Sequence, residues 1–145
     1  MKHINFQRVC PIIMLFLASC NSSAPQLEED KRLAERLFVE WELVSNQVAD
    51  EPRCRCTFLI RNEGDRLLND DDWAIYFNQD VNVVIPGSVT GNVNISRLGG
   101  DFFCLSPGKG FELLPGEEIT IQADYQRWLI KEDQAPLGLY IVFND

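Results

Sequence analysis

The stretch NDDDWAIYFNQD, residues 69–80, decides how this chain folds. Acidic residues flank six residues, Trp73–Asn78, that alternate in character. Extended backbone sends successive side chains to opposite faces, so Trp73, Ile75 and Phe77 share one face and Ala74, Tyr76 and Asn78 the other. The aromatic residues are then a sandwich core, a sugar-stacking platform, or both. Trp73 and Phe77, with Ile75 between them, read as core, and Tyr76 is the outward candidate. The cluster Asn69, Asp70, Asp71, Asp72 invites a calcium reading. Its spacing is not that of an EF-hand loop, and four consecutive residues cannot all converge on one ion, so a turn before the strand is expected and no metal.

Outward from this strand the chain continues as short alternating runs. LFVEWELV (37–44) sets Leu37, Val39, Trp41 and Leu43 against Phe38, Glu40, Glu42 and Val44, and CRCTFLIRN (54–62) sets Cys54, Cys56, Phe58 and Ile60 against Arg55, Thr57, Leu59 and Arg61. Further strands are expected at 89–95, 102–105, 118–123 and 137–143, the last with Leu137, Leu139, Ile141 and Phe143 on one face. Pro86-Gly87, Gly99-Gly100, Pro107-Gly108, Pro115-Gly116 and Pro136 punctuate them as turns. Seven or so such strands predict an all-β protein, an antiparallel immunoglobulin-like or cellulose-binding-type β-sandwich, with a closed barrel as the alternative.

The first twenty residues, MKHINFQRVCPIIMLFLASC, carry Lys2 and Arg8, an apolar run from Val9 to Ala18 and no acid. That is a secretory signal, too short to persist as a membrane span. Leu17-Ala18-Ser19-Cys20 resembles a bacterial lipobox, which implies cleavage before Cys20 and acylation of its sulfur. The expected organisation is a lipoprotein signal peptide (1–19), a lipid-anchored linker (20–32) and a β-sandwich domain (33–145). The location that follows is the bacterial cell envelope, membrane-anchored and outside the cytoplasm. Removing residues 1–19 leaves 145 − 19 = 126 residues and moves the formal charge from −9 to −11. A surface so acidic argues against nucleic acid as a partner. The one histidine, His3, lies in the signal, so the mature chain has no Ser-His or Cys-His nucleophile and no His-based zinc site. No cofactor is expected.

Taken in order, Trp41, IRNEGD (60–65), WAIYFN (73–78), RLGGDFFCLSP (97–107), FELLPGEEITI (111–121) and YQRWLIKEDQAPLGLYIVF (125–143) resemble the N-terminal domain of bacterial chitobiases and β-hexosaminidases. The resemblance implies a non-catalytic, carbohydrate-binding accessory domain for glycans that contain N-acetylglucosamine, such as chitin or peptidoglycan fragments. The alternative it implies is a structural domain or truncated fragment that docks on a hexosaminidase catalytic barrel. That barrel carries an adjacent Asp-Glu pair. Here Asp50-Glu51 lies in QVADEPRC (47–54), a Pro-containing turn without the flanking His and Gly residues, and with the chain ending at Asp145 no catalysis is expected.

Sugar binding needs an exposed ring to pack against C–H faces, with amides or carboxylates nearby for the hydroxyls. Tyr76 is one candidate, and Tyr125 and Trp128, in the polar-rich DYQRWLIKED (124–133), are two more. Trp41 shares its face with apolar residues and reads as core. Cys54 and Cys56 point the same way on one strand, which disfavours a bridge between them. In an oxidising compartment a disulfide of Cys54 or Cys56 with Cys104 is one expectation, and three reduced, buried cysteines the other.

Overall fold

The computed structural model describes residues 23–70, 72–80, 83–129 and 134–144. The expected signal segment, Cys20, Asp71 and the end of DYQRWLIKED fall outside those residues. The elements are a helix α1 (Ser23–Ala34) and nine strands: β1 (Leu37–Ser45), β2 (Cys54–Asn62), β3 (Leu68–Asn69), β4 (Trp73–Asn78), β5 (Val93–Gly99), β6 (Phe102–Pro107), β7 (Glu112–Leu113), β8 (Glu118–Tyr125) and β9 (Leu137–Phe143). They form a three-stranded sheet β1-β2-β8, a four-stranded sheet β5-β6-β4-β9 and the small pair β3-β7. All the pairings are antiparallel. The two larger sheets face each other across one apolar layer, the sandwich read from the alternation.

Period two determines what each sheet buries. Phe58 and Ile60 of β2, Ile121 of β8, Trp73, Ile75 and Phe77 of β4, and Phe103 and Leu105 of β6 form one buried cluster. The Phe58 and Phe77 rings meet across the sheets at 5.5 Å, and Phe77 stacks on Phe103 at 5.6 Å with 8° between the planes. Trp73 takes the edge of Phe111 at 5.3 Å. Such ring pairs add about 0.5–1.5 kcal/mol each beyond area burial. Cys54, Cys56, Ala123, Tyr125 and Leu129 make a second cluster toward one end.

Buried polar groups tie the loops to this core. Asn62 has no exposed surface; its Nδ2 donates to the carbonyls of Arg66 (2.8 Å) and Leu113 (3.0 Å), and its Oδ1 accepts from the Gly64 N–H. One side chain therefore closes the turn after β2 and holds β7. The free edge of β8 is covered without a strand: the N–H groups of Ile85 and Thr90 donate to the carbonyls of Asp124 and Gln122, while Ser88 Oγ and Thr90 Oγ1 accept from the N–H groups of Asp124 and Gln122. On the outer face of that sheet Arg55 grips Asp124 with two bonds of 2.7 and 2.9 Å.

The segment expected as a linker is helical from Ser23, rich in strong helix formers, with Lys31 and Arg32 in the helix's last turn, and Leu33, the first residue of the expected domain, is buried in the core. Two expectations are corrected. The strand expected at 89–95 begins only at Val93, because Gly91 (φ 78°) and Asn92 (φ 52°) both take left-handed backbone. Leu137 and Leu139 do not join Ile141 and Phe143 in the core. The register shifts between Tyr76 and Asn78, Gly138 takes φ 62° as a left-handed bulge residue, and Leu137 lands opposite Asn78 on the outer side, 54% exposed.

Phe77→Ala should cost about 3–5 kcal/mol in denaturant unfolding, whereas exposed Phe38→Ala should stay within about 0.5 kcal/mol. The Arg55 guanidinium holds the Asp124 carboxyl below the usual aspartate range. A carboxylate lowered in the folded state stabilises above its unfolded pKa, and that contribution is lost as pH falls through the lower folded value. Asp124→Asn should therefore cost about 1 kcal/mol near neutrality, with its Arg partner partly exposed. Melting curves of the two proteins should converge as the pH drops below the aspartate range.

A candidate carbohydrate-binding surface of stacked rings

Because Trp73, Ile75 and Phe77 face the core, β4 must present Ala74, Tyr76 and Asn78 on the outside of the four-stranded sheet. Tyr76 stands directly opposite Cys104 on β6 and Tyr140 on β9. Its ring lies 5.3 Å from that of Tyr140 with 19° between planes, and 5.6 Å from that of Phe102 with 14°. Near-parallel rings at such spacing overlap in the offset manner. Phe102, Tyr76 and Tyr140 thus form a ladder running across three strands, with Tyr140 50% exposed at one end. Val142 and Leu137 extend its apolar surface along β9.

The neighbouring Cys104, directly opposite on β6, and then burial push the Tyr76 phenol above the ordinary tyrosine value. Burial likewise pushes the Cys104 thiol up, against a smaller opposing effect of the Tyr76 hydroxyl. Near neutral pH the phenol is therefore protonated and can donate as well as accept. Asn78, Asn94 and Ser96 are exposed around the rings and supply amides and hydroxyls. This is the combination sugar recognition asks for: apolar ring surface beside uncharged hydrogen-bonding groups.

Of the three aromatic residues named from the sequence, Tyr76 lies in the ladder. Tyr125 does not: it is 0% exposed, between Cys54, Cys56 and Leu129, which takes it out of any surface contact. It continues the inward parity of Ile121 and Ala123, and its polar sequence neighbours lie beyond the strand. Burial pushes its phenol far above the usual range, with the two thiols adding to the effect. Trp128 is 51% exposed in the connection after β8, outside the stacked set. Its neighbour Leu129 is buried and doubly pinned, donating to Asn46 Oδ1 at 2.9 Å and accepting from Asn46 Nδ2 at 2.7 Å. Tyr140 and Phe102 escaped the sequence reading. Tyr140 alternates with Ile141 and Phe143, so its outward parity was visible, but its pairing with Tyr76 was not.

The other expected sites resolve into structure. No bridge joins Cys104 to Cys54 or Cys56. The strand parity explains this: Cys104 faces outward beneath Tyr76, and the other two face inward from the opposite sheet. Cys56 is pushed up by its hydrogen bond with Cys54 and by burial. Around Asn69, Asp72 accepts from the Asn69 N–H and pairs with Arg66 at 3.0 Å, and Asp70 accepts from the Gly110 N–H at 2.7 Å. Those acids hold a turn, as expected. Asp50 and Glu51 lie exposed on the β1–β2 connection, with Asp50 at φ 61° and Glu51 paired to Arg53. Among the described residues no helix is long and apolar enough to cross a membrane.

An antiparallel sandwich that displays ordered rings on an outer sheet face defines a surface-recognition domain. Residues 37–145 match the profile of the CHB_HEX family, described as "Putative carbohydrate binding domain", and the chain belongs to that family. Among solved structures, a GH20 exo-β-N-acetylglucosaminidase from Vibrio harveyi, in complex with N-acetylglucosamine, is similar with a TM-score of 0.60 and 22% identity. The match covers 76% of this chain and only 16% of that enzyme. The chitin-binding domain of Chi18aC from Streptomyces coelicolor matches with a TM-score of 0.51 and 13% identity, over 74% of this chain and 91% of that one. The module CBM3b of cellobiohydrolase 9A from Clostridium thermocellum matches with a TM-score of 0.50 and 18% identity, over 74% and 91%. At these identities the likeness is one of fold. No curated protein sequence matches the chain significantly.

Proposed function

We propose that this chain is a non-catalytic glycan-binding domain that takes N-acetylglucosamine-containing glycans, chitin or peptidoglycan fragments, on the Phe102–Tyr76–Tyr140 ladder. The observation that carries the proposal is the ladder itself: three near-parallel rings on an outer face, in a member of a carbohydrate-binding family. N-acetylglucosamine as the sugar is supported by the names of the proteins this sandwich resembles, a β-N-acetylglucosaminidase and a chitin-binding domain. A sugar ring laid on the exposed end of the stack would exchange hydroxyl hydrogen bonds with the Tyr140 phenol and the neighbouring amides. Acylation of Cys20 would place the domain at the surface of an envelope membrane, outside the cytoplasm. A second reading has one observation in its favour: the similar region of the Vibrio harveyi enzyme is 16% of a longer chain. On that reading the outer face docks against a hexosaminidase barrel.

The protein should be retained on insoluble chitin or on peptidoglycan. Tyr140→Ala and Tyr76→Ala should each weaken retention by about tenfold, roughly 1.4 kcal/mol, while Phe38→Ala on the opposite face should leave it unchanged. A folded protein retained on neither material, or ladder variants that bind as well as the parent, would count against the proposal. For the anchor, Cys20→Ser should move the protein from the membrane fraction to the soluble one, and persistence in membranes would refute acylation as the tether.

A further inference from the structure

We infer that the ladder face selects uncharged polysaccharide and turns carboxylated glycans away. This rests on the glycan-binding proposal and adds to it the charge of the ligand. Charged residues make up 24% of the sequence, yet no outward position of the described residues of β4, β5, β6 and β9 carries a charge. The outward polar groups there are Asn78, Asn94, Ser96 and Ser106, all amides and hydroxyls. The opposite outer face is built the other way, with Glu40, Glu42, Arg55, Arg61, Glu118 and Asp124 on β1, β2 and β8. Two faces of one sandwich have thus been given different chemistry, and the neutral one holds the rings.

The rim sharpens the selection. At the end of the sheet nearest Phe102 lie Asp80, exposed, and Asp101, exposed in the β5–β6 turn. The cation of that hairpin, Arg97, directs its Nε to the Gly100 carbonyl. A neutral sugar can cover the rings and exchange hydroxyl hydrogen bonds with Asn78, Asn94 and Ser96 at little electrostatic cost. A carboxylated sugar would be desolvated against tyrosine rings with no cation at an outward strand position among the described residues to offset the loss, and it would approach carboxylates at the rim. Of the glycans that contain N-acetylglucosamine, chitin fits this face better than carboxylate-bearing peptidoglycan.

The test compares retention of the whole protein on chitin and on chitin that has been carboxymethylated, at ionic strengths of about 0.01 M and 1 M. Retention on chitin should be unchanged by salt, and retention on the carboxymethylated polymer should be weaker by about tenfold or more at low salt. Asn78→Lys, an exposed substitution, should recover binding to the carboxymethylated polymer at low salt and lose that gain at high salt. Equal or stronger retention of the parent on the carboxymethylated polymer, or salt-labile retention on chitin, would overturn the neutral-face selection while leaving glycan binding intact. Retention on neither polymer at either salt would overturn the glycan-binding proposal and this inference with it.

Discussion

The Phe58–Phe77 contact, two rings meeting at 5.5 Å across the sandwich, is the constraint from which the rest of the molecule follows. It joins β2 of one sheet to β4 of the other, and through Phe103 it extends along the four-stranded sheet. Once Phe77 is committed inward, strand parity leaves Tyr76 no place but outside, and antiparallel pairing then decides its neighbours: Cys104 on one side, Tyr140 on the other. A slip of one residue in β4 would bury Tyr76 and expose Trp73, Ile75 and Phe77 together. Core and binding surface are therefore two sides of a single register, and stabilising one specifies the other.

Charge is placed around that register with a division of labour. The acids of this chain serve as turn acceptors before β4, as a cross-strand partner in Arg55–Asp124, and as Glu40 and Glu42 on the edge strand β1. Charges on an edge discourage pairing with another chain, and the covering segment 83–90 does the same for β8. None of these tasks requires a charge on the outer face of the four-stranded sheet. Its neutrality is instead compatible with desolvating that face against a ligand.

How much of this could be read beforehand follows from what each residue depends on. The spans of β2, β4 and β9 were legible, because turn residues bound them and the alternation of β2 and β4 is strong, whereas the bulge at Gly138 breaks that of β9. The two-residue strands β3 and β7 were not, since a pair of residues has no period and exists only because Leu68 and Leu113 are both buried against the core. The helix at Ser23–Ala34 was not legible, because Leu33 packs against a core built far away in sequence. Tyr76 was legible from parity alone. The ladder was not, because it needs β9 to lie beside β4 across about sixty residues of chain, and because consecutive Phe102 and Phe103 give no local sign of which points outward. Tyr125 misled through its neighbours: the strand extends two residues past Ala123, and inward parity extends with it.

The stacking of the rings also bears on how such a face can bind at all. An exposed tyrosine on an open sheet must usually be immobilised by its ligand, at about 0.5–1.5 kcal/mol for each side chain ordered. Tyr76 has already been ordered by folding, between Phe102 and Tyr140 and over Cys104. The cost of fixing the ring is charged to the stability of the sandwich, where the Phe58–Phe77–Phe103 seam can bear it. What remains for a ligand is to cover a surface of settled shape with neutral amides and hydroxyls at its margin. On an open sheet with rings already in place, each sugar contact contributes a little without first having to order a side chain, and the loss of rigid-body freedom on association is met once for the whole ligand. That favours an extended polymer, whose successive residues engage the face together, over a single small sugar.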